Sequence, residues 1–342
     1  MKKMFTSKKY GAVALVCLLA IGGLVWFYFF SAFANSDKKQ FVFIDDDDTP
    51  DSVLAKLQPL GTSHGMTGFS TLMRHTSYRD RVRPGCYAVE PRLSTMTLFR
   101  RMKNGVQSPM NLTIPSVRTL DKLAAAVSRK LKLDSATVCR TLTDQQACQA
   151  LGFDTVTIAA MFIPNTYDIF WDVSMEKFLK RMKKEYDRYW NDDRRAKARA
   201  CGLTPVQVST LASIIDEETA NDGEKPKIAG MYLNRLKTNM PLQADPTVKF
   251  ALGDFTLKRI YNHMLNVDSP YNTYRHEGLP PGPIRIPTVA ALEAVLNHEK
   301  NDYLYMCAKE DFSGTHNFAK TYQEHLDNAA RYSKALNERG IK

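Results

Sequence analysis

The chain has no Gly-rich phosphate loop and no H-E-x-x-H. These absences remove the signatures of P-loop nucleotide enzymes and zincin metalloproteases. It has no C-x-x-C, so a zinc ribbon is not indicated. Its seven histidines show no ligand spacing, and no repeat of solenoid period is visible. Cysteine is scarce too, at six residues. Cys17 lies in an apolar run; Cys86, Cys139, Cys148, Cys201 and Cys307 lie outside it. An oxidising compartment would permit a Cys139–Cys148 bridge across a short loop. Buried free thiols are the other reading. No metal or cofactor is expected.

What is present is a chain of 342 residues, 44% apolar and 24% charged, enough for two domains around real cores. Net charge is +11; Lys2, Lys3, Lys8 and Lys9 supply four charges and residues 35–342 the other seven. That excess favours anionic polymers without choosing among them.

Those four lysines precede an uncharged run from Gly11 to Ala34. A run of about 20 apolar residues is long enough to cross a bilayer as a helix. Lysines before the span predict a cytoplasmic N-terminus (1–10), a transmembrane helix (11–34) and a body outside. Trp26 to Phe30 form an aromatic cluster suited to the outer interface. A cleaved signal peptide is the rival, since Ala32-Phe33-Ala34 resembles a cleavage site. An h-region, however, is normally only about 7–15 residues. A lipoprotein site at Cys17 fits less well, because the apolar run continues beyond it.

Residues 35–40 read as a polar linker. Phe41 to Ile44 predict a short strand, followed by four acids, Asp45 to Asp48. The acid run lacks the spacing and glycine of an EF-hand loop. Asp48 or Thr49 is expected to cap a helix beginning at Pro50, the other acids being solvated. Residues 83–89 predict a turn and a strand, with a helix after them that stops at Asn104-Gly105. Residues 41–108 therefore form a small α+β module. Beyond it, helices are expected from about Thr119 to Leu131 and, with a basic solvated surface, from Ser174 to about Ala200. Phe162 to Tyr167 reads as a loop.

The chemistry centres on L-A-S-I-I-D-E-E-T-A, residues 211–220. Thr204-Pro205 is a helix start, and the helix should reach about Thr219. With Leu211 at zero, steps of about 100° put Ile215 near +40°, Ile214 near −60° and Glu218 near −20°. Asp216 and Glu217 fall near +140° and −120° by the same rule. Glu218 thus projects from the apolar face, and the other two are expected to face solvent. A desolvated carboxyl holds its proton near neutral pH and suits general-acid work. The alternative is a buried Glu218 paired with Arg235. Downstream, M-P-L-Q-A-D-P-T-V (240–248), S-P-Y-N-T-Y (269–274) and G-L-P-P-G-P-I (278–284) put Tyr, Asn and Gln on rigid loops, as a carbohydrate groove would; the alternative is well-packed loops with Tyr covering a core edge.

Together with K-P-K-I-A-G-M-Y-L-N-R-L, D-Y-L-Y-M-C-A-K and G-T-H-N-F-A-K-T-Y-Q-E-H (314–325), these segments closely resemble the endolytic murein transglycosylases, the YceG-like family. The strong part covers about residues 204–326. F-I-P-N-T-Y (162–167) and P-G-C-Y (84–87) are consistent with it. The resemblance implies an α+β protein with an N-terminal transmembrane helix, a LysM-like module (41–108) and a periplasmic catalytic domain (109–342). It implies a lytic transglycosylase of the inner membrane that cuts the MurNAc–GlcNAc β-1,4 bond within nascent peptidoglycan strands. The product would carry a 1,6-anhydro-MurNAc end. The family's catalytic acid falls on Glu218, the residue that helical phase selects. Relatives often carry Glu at the position of Asp216. Asn234, Arg235, Gln243, Asp245, Tyr271, Asn272, Thr273 and Tyr274 are the expected substrate-binding residues. Wall-synthesis enzymes of the membrane are the expected partners, and nucleic acid is not. Two rival readings remain: a hydrolytic muramidase with Asp245 as base, and a non-catalytic glycan-binding scaffold.

Overall fold

The computed structural model describes residues 2–257 and 259–339. Fourteen α-helices and six short strands are present among them. The chain divides into two compact units: residues 1–111 with 130–132 and 168–173, and the rest.

The first unit begins with α1 (Lys2–Val25), continued by one π-helical turn, Trp26–Phe30. Its Tyr10–Phe30 segment is long and apolar enough to cross a membrane. The apolar run does not remain helical to Ala34. It turns at Ser31, and Phe33 and Ala34 become core residues, Phe33 with no exposed surface. Strand β1 (Gln40–Ile44) follows, then α2 (Pro50–Leu57), α3 (Ser63–Arg74), β2 (Gly85–Val89) and α4 (Thr95–Asn104). β1 and β2 pair antiparallel, with Gln40 opposite Val89 and Ile44 opposite Gly85. The core joins Phe33, Ile44, Leu57, Phe69, Tyr87 and Leu98. The aromatic turn belongs to this unit: Phe27 stacks on His64 at 4.4 Å. A Cβ on Gly68 would lie 2.1 Å from the Tyr28 carbonyl oxygen, so α3 needs glycine there.

Thr49 caps α2 in a capping box with Ser52. The acids before it are not all solvated. Asp48 accepts from the Ser52 hydroxyl at 2.6 Å and pairs with Lys56, which also reaches Asp45 at 3.2 Å. Lys132 joins Asp45 and Asp46 at 3.1 and 2.8 Å.

The second unit contains most of β3 (Met110–Ile114) and β4 (Asn165–Ile169), which pair with one another. Asn165 to Tyr167, expected as loop, are therefore strand. Between them run α5 (Leu120–Ser128), α6 (Ser135–Leu142) and α7 (Gln145–Ala150). Cys139 and Cys148 are unbridged; the Cys139 thiol faces Asp121 at 2.9 Å and Cys148 is buried. The long basic helix expected over 174–200 is two helices, α8 (Met175–Tyr189) and α9 (Asp192–Ala200). Asn191 breaks it by capping the second through the Arg194 amide. Then come α10 (Pro205–Glu218), α11 (Lys225–Lys237), α12 (Asp245–Leu252) and α13 (Val289–Leu296). The hairpin β5 (Tyr305–Ala308) and β6 (His316–Ala319) and helix α14 (Tyr322–Glu338) complete it.

Helix α10 is the centre of this unit. Its residues 208–215 are buried on every side, including Ser209, Thr210 and Ser213. Helix α11 packs beside it and carries the hairpin's approach. A Cβ on Gly230 would lie 2.2 Å from the Glu299 carbonyl oxygen. One turn on, Asn234 donates to the carbonyls of Asn301 and Tyr303 at 2.8 and 3.1 Å.

Candidate active site

Threonine and proline start α10 as expected: Thr204 and Gln207 form a capping box, with Pro205 at the first helical position. The helix ends at Glu218, whose backbone is held while its side chain turns into a cavity of about 260 Å³. Glu218, Arg235, Gln243, Asp245, Tyr274 and His316 line it. A larger cleft of about 550 Å³, along Leu203, Leu233 and Pro280, carries no carboxylate.

The three acids at the end of α10 have different neighbours. Asp216 is not solvated: its side chain is 2% exposed and pairs with Lys225 at 2.7 Å. It also accepts from the backbone and hydroxyl of Thr288, at the start of α13. Glu217 is equally occupied. Arg118 grips it through two bonds of 2.7 Å, and Arg285 reaches it at 2.9 Å. Helical phase put both on a polar side expected to face solvent. It failed on solvation because α10 is enclosed all round, and its polar side meets cations from distant segments.

Glu218 meets no cation within ion-pair distance among the described residues. Its one hydrogen bond comes from the Tyr232 hydroxyl, at 2.8 Å on Oε1. As a residue it is partly exposed through the cavity mouth, but its carboxyl is enclosed. Burial drives that carboxyl up to about 7; the Tyr232 hydroxyl pulls the other way, and Asp245 adds to the rise. Near neutral pH the group is thus substantially protonated. Tyr232 holds Oε1, which leaves Oε2 to carry the proton.

Arg235, the alternative partner, turns elsewhere. It donates to the carbonyls of Leu304 (2.5 Å), Pro241 (3.2 Å) and Leu242 (2.7 Å). That ties the hairpin and the 240–248 loop to α11 and leaves Glu218 without a charge partner. Gln243 sits at φ 48, a left-handed backbone unusual for a non-glycine residue. Tyr274 donates to Asp245 at 2.6 Å.

Of the eight residues expected in a groove, Arg235, Gln243, Asp245 and Tyr274 line this cavity with Glu218. The other four do not. Asn234 is spent on the 301–303 backbone. Asn272 has no exposed surface and donates to the carbonyls of Leu265 and Val267. Thr273 is buried against Thr247 and the Ala244 amide. Tyr271 packs on Phe250, ring centres 4.6 Å apart, beside a different cleft. Rigid loops need their own polar glue, and amides and hydroxyls supply it. Two residues of the site were not anticipated. His316 lines the cavity, and Glu224 holds it at 2.9 Å. They stand 92 positions apart, so only the quoted G-T-H segment hinted at either.

The protein is thus an α+β molecule with an N-terminal apolar helix and one enclosed carboxyl facing a polar cavity. The YceG-like family model matches residues 42–331, most of the chain, and the chain belongs to that family. It is 31% identical over 271 residues to an endolytic murein transglycosylase of Bacillus subtilis, covering 75% of this chain and 74% of that one. A second endolytic murein transglycosylase, from Streptococcus pneumoniae, is 27% identical over 334 residues, 87% of this chain and 59% of its own length. A crystal structure of a YceG-like protein from Listeria monocytogenes aligns with TM-score 0.55 and 29% identity, covering 85% of this chain and 99% of that one.

Proposed function

We propose that this chain is an endolytic murein transglycosylase in which Glu218 is the catalytic acid. The observation that carries the assignment is a desolvated carboxyl without a countercharge, opening to a polar cavity, in a chain of this family. Protonated Glu218 gives its proton to the glycosidic oxygen as the MurNAc C1–O4 bond breaks. The 6-hydroxyl of the same MurNAc attacks C1 and closes the anhydro ring. Because the nucleophile belongs to the substrate, its effective concentration replaces a bound water. Ionised Glu218 is one acceptor for the hydroxyl proton. The substrate is nascent peptidoglycan, and membrane wall synthases are the partners. Gln243, Asp245, Tyr274 and Arg235 supply the polar contacts to sugar.

Residues 41–108 are assigned as a LysM-like glycan-binding module and 109–342 as the catalytic domain. The apolar N-terminal helix is assigned as a single-pass anchor, with the N-terminus cytoplasmic and the body periplasmic. Lys2, Lys3, Lys8 and Lys9 support that orientation. Burial of Phe33 supports anchor over signal peptide, because a cut after Ala34 would remove a core residue.

Asp245 faces the same cavity, which favours the muramidase as the second reading. Mass spectrometry of digested glycan strands separates the two. Anhydro ends are one water lighter than reducing ends. Glu218→Gln should keep fold and glycan binding and abolish anhydro ends; undiminished turnover would sink the assignment.

A further inference from the structure

We propose that His316, oriented by Glu224, is the base that takes the proton from the MurNAc 6-hydroxyl. The inference rests on the transglycosylase reading and deepens it. The Glu224 carboxylate is buried, and both its oxygens are committed to one residue. Oε1 accepts from the His316 backbone amide at 2.7 Å, and Oε2 faces Nδ1 at 2.9 Å. A carboxylate at Nδ1 fixes the proton there and leaves Nε2 with the lone pair. Nε2 has no hydrogen-bond partner among the described residues, and His316 lines the cavity that holds Glu218.

The reaction has a use for such a nitrogen. The acid serves the leaving oxygen, whereas the attacking hydroxyl comes from elsewhere on the ring. One carboxyl could serve both in turn; a second group leaves Glu218, held by Tyr232 at Oε1, to serve the leaving oxygen alone. With two groups the step balances. The Glu218 proton goes to O4 as C1–O4 breaks; O6 bonds to C1 and its proton goes to His316 Nε2. The imidazolium, paired with Glu224, then returns that proton to the Glu218 carboxylate. No water is consumed and no electrons are exchanged with a cofactor.

The groups facing His316 are Glu224 before α11, Glu218 at the end of α10, Asp245 on α12 and Arg235 on α11. Tyr232, Tyr274 and, from β5, Cys307 complete the surround.

The test uses the full chain in detergent, with purified glycan strands and anhydro ends counted by mass spectrometry. His316→Ala should lower turnover about 10²–10⁴-fold, the usual contribution of a positioned base. Strand binding should be unchanged, the acid limb of the pH profile should vanish, and added imidazole should restore part of the rate. Glu224→Gln should shift the acid limb to lower pH, since a neutral partner stabilises imidazolium less. Wild-type turnover in His316→Ala overturns the proposal, as does a loss that leaves the acid limb in place and ignores imidazole. Should His316→Ala not fold, an unmoved acid limb in Glu224→Gln overturns it. Wild-type protein that makes no anhydro ends would instead break the transglycosylase reading itself.

Discussion

The chain carries two acidic runs, Asp45 to Asp48 and Asp216 to Glu218, and their fates differ. In the first, Lys56 and Lys132 bind Asp45, Asp46 and Asp48. Burial works to raise Asp45 and Asp48, but lysine hydrogen bonds and charge outweigh it and hold both below the usual carboxylate range. In the second, Asp216 and Glu217 are likewise matched, by Lys225, Arg118 and Arg285. Glu218 is the exception, and burial therefore acts on it without opposition from a paired cation. Neither clustering nor burial sets Glu218 apart from the other acids of these runs. The missing countercharge does.

The largest effect should come from Glu218 itself. Glu218→Gln should abolish detectable anhydro-end formation, a loss of at least about 10²–10⁴-fold, with an unchanged circular dichroism spectrum. Asp216→Ala should instead act on stability. It strips buried Lys225 of its buried partner, although Asp222 still reaches it at 2.6 Å. A loss of about 3 kcal/mol in urea unfolding is expected, the lower part of the range for a broken buried pair.

A pH series sharpens the contrast further. Glu218 titrates near 7 in the folded chain against 4.5 for the free group. The folded state therefore holds the proton more tightly, and stability falls as pH rises from about 4.5 through about 7. Glu218→Gln removes that loss. The variant should match wild type at pH 4 and exceed it by about 3 kcal/mol at pH 8, measured by chemical denaturation. An equal gap at both pH values would contradict the desolvation argument. The smallest effect belongs to the first run. Lys132→Ala, breaking a partly exposed pair, should cost about 0–1 kcal/mol, and less in high salt.

Much of this was legible in the chain. Thr204-Pro205 and Thr49-Pro50 gave helix starts because caps and proline act locally. Helical phase set Glu218 apart from Asp216 and Glu217, and its neighbours do differ from theirs. What escaped was long-range. The countercharges of Glu217 come from Arg118 and Arg285, 99 and 68 positions away. Asn272 and Thr273 suggested sugar contacts because residue type does not reveal whether an amide or hydroxyl faces a ligand or its own loop. Asn191 was a readable cap, hidden by the uniform basicity of the segments around it.

The burial of Phe33 has a mechanical meaning. Helical backbone lasts to Phe30 and the folded core resumes at Phe33. Two intervening residues span at most about 10 Å between Cα atoms. With the helix as the proposed anchor, the first module would have no leash and would ride at a fixed height above the bilayer. Its access to strands would then depend on how close they lie to the membrane, and lengthening that short join should widen the zone it can cut.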